Sequence, residues 1–254
     1  MFYQDYLPSA PKYEFKGVQD CLRILEQEPY EYIIFTMDEG SFLNYFLNSE
    51  EQLLEGWESY DPAVNQLLIR MPSGPHEVAV TAFDGLFRRW NGDGDDNYPL
   101  ISTASRTVRG PLGKSKSPDY SWTPMHSNRD TKWPSIVVEC IWSEPRAKAA
   151  NDMRFWLTES GGKVKLALTI TVHNRGRILI EQWEMKGRRA TPVQRIDIVR
   201  KPVATRKKVE GHMHLAFEDI NDRPKRKKSD KDFILTAKDM ETIAKQVWLI
   251  LDEA

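Results

Sequence analysis

Two acidic side chains stand in segments that otherwise look like buried strands. Glu139 lies at the centre of "PSIVVECIW", residues 134–142, and Asp119 lies in "SPDYSW". A lone carboxylate among apolar neighbours is costly to bury unless another group binds it. If the two segments form a hairpin, both carboxylates converge on one edge of a sheet. Two carboxylates placed so close repel each other, and a bound divalent cation would remove that repulsion.

The type of ligand indicates which cation would suit these acids. Carboxylate oxygens favour Mg²⁺ or Mn²⁺, which keep several waters and accept further oxygens from a phosphate. The histidines show no zinc-ligand spacing, and the nearest pair, His212 and His214, is interpreted as an ordinary surface pair. An alternative stays open for each acid. Glu139 could be a buried acid bound by a neighbouring arginine or hydroxyl group, and Asp119 could be a turn residue.

Two predicted helices and four predicted strands position the acids. "SGPHEVAVTAFDGLFRRW" has apolar residues at helical spacing and a proline in its first turn. Three strands follow in "PLISTASRTV", "PDYSW" and "PSIVVECIW", and the loops between them do not look helical, so we expect an antiparallel arrangement. "SEPRAKAANDMRFWLTESGG" then predicts a helix, and "KVKLALTITVH" predicts the strand after it.

The rest of the pattern completes one mixed α/β domain. Extra strands are predicted in "RILIEQWEM" and "VQRIDIV", and "TAKDMETIAKQVWLIL" predicts a closing C-terminal helix. We therefore expect a sheet covered by helices over residues 62–254. Residues 1–61 are predicted to form a separate, acidic N-terminal lobe, in which no residue pattern indicates chemistry.

The distribution of charge points to a polyanionic partner. The net charge of the 254 residues is only −1, yet residues 1–61 hold 13 acidic and three basic residues. Residues 186–208 hold nine basic residues and one acidic residue. Such a basic segment favours nucleic acid as a partner. The alternative is that the acidic lobe and the basic segment neutralise each other.

Composition also predicts the compartment. The N-terminal sequence does not look like a signal peptide, and no apolar run reaches the roughly 18 residues of a membrane span. Cys21 and Cys140 are interpreted as reduced packing residues. We therefore expect an intracellular protein without a membrane partner, nuclear or cytoplasmic. The run "RPKRKK", residues 223–228, could be a nuclear localisation signal, a phosphate-binding patch or a solvated loop.

The order of elements, with an acid after proline and another inside the next strand, resembles the PD-(D/E)XK nuclease superfamily. That resemblance implies a restriction-endonuclease-like fold with an αβββαβ core. It covers about residues 67–254, and several stretches resemble one uncharacterised branch that is abundant in filamentous fungi. The stretches that carry it are "RMPSGPHE", "SKSPDYSWTP", "WPSIVVECIWSE", "NDMRFWLTESGGKVKLALTITV", "ILIEQWE" and "LAFEDINDRP…DFILTAKDMETIAKQVW".

The resemblance implies an activity and roles for individual residues. Asp119 and Glu139 would hold Mg²⁺ or Mn²⁺, and the reaction would be hydrolysis of a phosphodiester bond in DNA or RNA. Glu77 stands where many members carry a further acid on the first helix. Its alternative role is that of a helix N-terminal carboxylate stabilised by the helix dipole. Nucleases of this fold often dimerise to cut both strands, so a homodimer is a further expectation.

The sequence departs from this superfamily at the lysine two residues after Glu139, where it has Ile141. The cation would then come from elsewhere, and Lys148, Arg154 and Lys165 are the candidates. At about 100° per residue, Arg154 falls about 100° from the centre of the apolar stripe of its helix and Lys148 about 140°. This favours Arg154 near the sheet and Lys148 in solvent. Two alternatives stay open: a catalytically inactive domain that binds nucleic acid or a protein, and a structural adaptor.

Overall fold

The computed structural model describes residues 3–48, 57–71, 73–92, 99–126, 129–142, 145–200 and 208–253. The chain divides into two compact units. The first comprises Met1–Ser73 and Thr107–Ser117, and the second comprises Gly74–Arg106 and Pro118–Ala254. The boundary expected between residues 61 and 62 lies within a strand hairpin of the first unit, which therefore continues to Ser73.

The first unit is built on a mixed sheet. Its strands are β1 (Lys12–Glu14), β2 (Tyr32–Thr36), β3 (Trp57–Asp61), β4 (Gln66–Arg70), β6 (Val108–Arg109) and β7 (Ser115–Lys116). Within the described residues they follow the order β1-β2-β4-β3-β7-β6, with β1 parallel to β2 and the other neighbours antiparallel. The helices are α1 (Val18–Gln27) and α2 (Glu39–Phe42), which continues as a π-helical turn over Leu43–Leu47. A 3-10 turn covers Tyr3–Asp5.

The second unit holds the remaining elements. Its strands are β5 (Leu100–Ser102), β8 (Tyr120–Pro124), β9 (Ile136–Ile141), β10 (Leu166–Val172), β11 (Ile178–Lys186), β12 (Arg189–Ile198), β13 (Val209–Glu210), β14 (Met213–Leu215) and β15 (Phe233–Leu235). Its helices are α3 (Gly74–Asn91), α4 (Arg146–Glu159), α5 (Phe217–Asn221) and α6 (Ala237–Glu253). Strands β14 and β15 pair only with each other within the described residues.

The main sheet of the second unit has the strand order β13-β12-β11-β10-β9-β8-β5. Strands β5, β8 and β9 are antiparallel neighbours, which confirms the predicted arrangement. Strands β9 and β10 are parallel, because α4 carries the chain back between them. The predicted mixed α/β class is confirmed. The first predicted strand is wrong in extent, since the chain turns after Ser102 with Ala104 at φ 44° and enters the other unit.

The two faces of this sheet are covered differently. Helices α3 and α6 pack on one face, where the alternate residues Ile136, Val138 and Cys140 of β9 join an apolar cluster. Residues of β9 in between point to the opposite face, against which α4 packs. Glu139 belongs to this second face. Among the helices that the structure describes, none combines the length and the apolar character needed to cross a membrane.

Candidate active site

Asp119 and Glu139 lie side by side, as the predicted hairpin requires. Tyr120 of β8 pairs with Val138 of β9, so the residue before Tyr120 falls at the level of the residue after Val138. The backbone N–H of Asp119 donates to Oε2 of Glu139 at 3.4 Å. Both acids are buried, with 2% of the Asp119 side chain and 4% of Glu139 exposed. The structure thus brings two carboxylates together at the junction of two strands.

The Asp119 carboxylate is held by groups from two other elements. Its Oδ2 accepts the backbone N–H of Cys140 at 2.6 Å and lies 2.9 Å from Nε2 of His76. His76 is buried in the first turn of α3, and its Nδ1 lies 3.3 Å from Oε1 of Glu77. The sequence shows no zinc-ligand spacing that includes His76, and its contact with Asp119 was missed. Its position next to Glu77 was the available signal.

An indole group binds Glu139. Trp156 of α4 donates its Nε1–H to Oε1 of Glu139 at 2.7 Å, and both side chains are buried. A charge-assisted hydrogen bond of this kind stabilises a buried carboxylate that would otherwise lose its hydration. The alternative interpretation of the sequence was an arginine or a hydroxyl group as the partner of Glu139. The helical spacing places Trp156 on the apolar stripe of α4, and that spacing alone does not reveal its hydrogen bond.

The orientation expected for the cations of α4 is wrong. Lys148 is buried, with 2% of its side chain exposed, and its Nζ lies 2.9 Å from Oδ2 of Asp152. Arg154 is exposed and donates to Oδ1 of Asn151 at 3.1 Å. The helical wheel had been centred on apolar residues alone, so the buried Lys148–Asp152 pair was left out. Lys148, Asp152 and Trp156 are spaced four residues apart and therefore share the face that meets Glu139.

The remaining candidate residues are Lys165 and Glu77. Lys165 precedes β10, and its backbone N–H donates to Ser135 O at 2.8 Å. Ser135 is four residues before Glu139, a distance of about 13 Å along a strand. The Lys165 ammonium lies 3.6 Å from Oδ1 of Asp222, so it is not brought to the two acids. Glu77 is beside His76 and has 62% of its side chain exposed.

A polar row continues from Glu139 across the sheet. Thr169 of β10 pairs with both Glu139 and Glu181, so these three side chains point to the same face. Glu181 is buried and accepts both terminal N–H groups of Arg146 at 3.1 Å. The hydroxyl of Thr169 accepts Nε1–H of Trp183 at 2.9 Å. Glu181 was missed in the sequence, although "ILIEQWE" shows the same signal as Glu139, an acid inside an apolar strand.

The donor set at Asp119 and Glu139 fits a magnesium-like ion in chemistry. Mg²⁺ is usually held by one or two carboxylates, with waters and substrate phosphate completing its shell. The two acids supply oxygen ligands of that kind from adjacent backbone positions. Protein groups already bind both acids: Cys140 and His76 contact Oδ2 of Asp119, and Trp156 and the Asp119 backbone donate to the two oxygens of Glu139. In the described part of the chain, no three His, Cys, Asp or Glu side chains are grouped to hold a metal ion.

The basic segments 223–228 and 186–208 differ in the groups that their cations contact. In "RPKRKK", the guanidinium of Arg223 binds Asp230 and holds the pKa of that carboxyl well below its usual range. Lys225 likewise lowers the pKa of Asp232, which also accepts the backbone N–H of Phe217. These two cations therefore stabilise the loop. Nε2 of His214 lies 2.9 Å from Oδ2 of Asp232, so this histidine contacts an acid rather than forming a metal-ligand pair with His212.

The basic segment 186–208 is only partly described, because Lys201, Arg206 and Lys207 lie outside the described residues. Arg200 and Lys208 lie over the ring of Trp248, at 5.8 and 5.1 Å from its centroid. Cations placed over an indole ring in this way are stabilised by its electron-rich face.

No protein-family model matches the chain, and no curated protein is similar enough to count as a match.

Proposed function

We propose that this protein is a metal-dependent nuclease that hydrolyses phosphodiester bonds of nucleic acid. The observation that carries the proposal is the pair of buried carboxylates, Asp119 and Glu139, at the junction of β8 and β9. Burying two acids side by side is unfavourable without a cation, so the pair is best explained by a binding role. The order α3–β5–β8–β9–α4–β10 supports a restriction-endonuclease-like core around them.

The proposal gives a role to the two acids and to each residue that contacts them. Asp119 and Glu139 would hold Mg²⁺ or Mn²⁺, and a bound ion supplies an activated water and stabilises charge on the phosphate. Cys140 and His76 fix the orientation of the Asp119 carboxylate. Trp156 fixes that of Glu139. Ligands held in this way need little reorganisation when an ion arrives.

Lys148 is the best candidate for the cation that Ile141 cannot provide. It is buried on the same face of α4 as Trp156, which contacts Glu139. Arg154 points to solvent, and Lys165 is bound near Asp222 at the other end of β9. An ammonium group that is held in a buried position can stabilise the negative charge that develops on a phosphate.

A catalytically inactive nucleic-acid-binding domain is the second candidate. Internal donors already bind both acids, so the two carboxylates are compatible with a purely structural role. A nuclear or cytoplasmic location and nucleic acid as the partner belong to both proposals. A homodimer is expected only if the protein cuts both strands of a duplex.

The test is a cleavage assay on single- and double-stranded DNA and RNA, with Mg²⁺, Mn²⁺ or chelator. Wild-type protein should cleave at least one substrate only when metal is present. Asp119→Asn should lose more than about a hundredfold in rate, beyond what loss of an outer-shell partner usually costs. Glu181→Gln is the matched control, because it removes a buried carboxylate that binds Arg146 instead. Absence of cleavage by folded wild-type protein would favour the inactive domain.

The role of Lys148 is tested in the same assay with Lys148→Met and Lys165→Met. We expect the first substitution to reduce the cleavage rate strongly and the second to leave it unchanged. Circular dichroism checks that both variants are folded. If Lys165→Met is the variant that loses activity, the assignment of Lys148 is wrong while the nuclease proposal stands.

A further inference from the structure

The hairpin between β11 and β12 extends beyond the sheet that contains it. Strand β10 pairs with β11 only from Ile178 to Trp183. Beyond that point Glu184 to Lys186 pair only with Arg189 to Thr191 within the described residues. Residues 184–191 therefore form a two-stranded ribbon. Its turn has Gly187 at φ 62°, the conformation that a two-residue hairpin turn needs at its first position.

The end of this ribbon carries unneutralised positive charge. Lys186, Arg188 and Arg189 are all exposed. None of the three forms an ion pair with a residue that the structure describes. This distinguishes them from Arg223 and Lys225, whose charges are used within their own loop. Three cations on a protruding turn are available for an anionic partner.

We propose that the ribbon binds the phosphate backbone of double-stranded DNA, an inference that rests on the proposed nuclease function. Lys186 lies five residues beyond Glu181 along β11, and Glu181 lies two strands from Glu139. Strand geometry places the tip about 20 Å from Glu139, beyond the N-terminal end of β9 where Lys165 also lies.

The shape of the ribbon favours DNA over RNA in duplex form. The major groove of B-form DNA admits a two-stranded ribbon, and its bordering phosphates flank such an insertion. The major groove of A-form RNA is too narrow to be entered in the same way. The ribbon residues therefore act as an anchor for the duplex, separate from the carboxylates that would perform the chemistry.

The test is equilibrium binding in chelator to a DNA duplex of about two helical turns, followed by fluorescence anisotropy at several salt concentrations. The variant replaces Lys186, Arg188 and Arg189 with serine. We expect weaker binding and a salt-dependence slope smaller by about 3, close to one for each lost phosphate contact. The control replaces Lys231, Lys238 and Lys245 with serine, which removes the same charge from exposed positions elsewhere. The control should keep the wild-type slope, and thermal unfolding checks that both variants are folded.

The outcomes separate this inference from the proposed function. An unchanged slope in the ribbon variant, or an equal loss in the control, would overturn the inference whether or not the protein cleaves. A larger loss on a double-stranded RNA of equal length would overturn the choice of DNA. Ribbon-dependent binding without any metal-dependent cleavage would support the anchor and contradict the nuclease. Wild-type protein that binds no duplex would overturn the anchor.

Discussion

The two faces of the main sheet in the second unit bury different kinds of side chain. On the face covered by α3 and α6, strand residues such as Val138 and Ile170 pack into a large apolar cluster. On the face covered by α4, the neighbouring positions Glu139, Thr169 and Glu181 form a polar row. Both faces are buried and belong to the same strands. Stability alone therefore explains the first face and leaves the second unexplained.

The difference shows where the chain buries groups that are costly to remove from water. Every member of the polar row has a specific partner, such as Trp156 for Glu139 and Arg146 for Glu181. Such pairs seldom improve stability over well-packed apolar residues of similar size. A buried row of this kind is therefore a better indicator of a site than of a stable core.

The largest expected effect comes from moving the carboxylate to the other face. Val138→Glu would place an acid in a fully buried apolar cluster, where no partner is provided. We expect it to cost about 3–5 kcal/mol, enough to unfold a marginal domain. Glu139→Gln should cost far less, since its amide oxygen can still accept from Trp156. Urea denaturation of both variants measures this, and equal costs would remove the distinction between the faces.

A smaller effect should separate two indole groups on the polar face. Trp156→Phe removes the donor to the Glu139 carboxylate, and Trp183→Phe removes the donor to the Thr169 hydroxyl. Both changes delete similar volume, so their difference reports the hydrogen bond. We expect Trp156→Phe to lower the free energy of unfolding by about 1 kcal/mol more, because bonds to charged acceptors are stronger. If Trp183→Phe lowers the free energy of unfolding by as much as Trp156→Phe or by more, the proposed difference between the two hydrogen bonds is wrong.

The smallest effect concerns His173, at the end of β10. Burial, and then the charge of Arg177, lower the pKa of this imidazole, while Asp197 acts in the opposite direction. Between that lowered pKa and about pH 6.5 the unfolded chain binds more protons than the folded chain. Stability should therefore fall as pH drops through this window and be level above it. His173→Asn should weaken this dependence in thermal unfolding between neutral and mildly acidic pH. An identical profile would show that other groups cause it.

Much of the second unit could be predicted from the sequence. The short apolar run in "PSIVVECIW" and the helical spacing in residues 73–90 identify β9 and α3, because both are local patterns. The proximity of Asp119 and Glu139 followed from a hairpin assumption that the register of β8 and β9 fulfils. In each case the determining information lies within a short stretch of chain.

The remaining features depend on contacts between distant residues. Lys148 was assigned to solvent because a helical wheel built on apolar residues gives no weight to a buried ion pair with Asp152. The contact between His76 and Asp119 joins residues 43 positions apart, which no local pattern reveals. The inclusion of Thr107–Ser117 in the first unit likewise depends on pairing between β3 and β7.

The most direct test of the polar face is a calorimetric titration with Mn²⁺ of the wild-type protein, Glu139→Gln and Glu181→Gln. We expect the wild type to bind Mn²⁺ through Asp119 and Glu139, and Glu181→Gln to bind equally well. Glu139→Gln should lose at least about tenfold in affinity, because one of two carboxylate ligands is gone. No binding by the wild type, or unchanged binding by Glu139→Gln, would contradict a metal role for the buried pair.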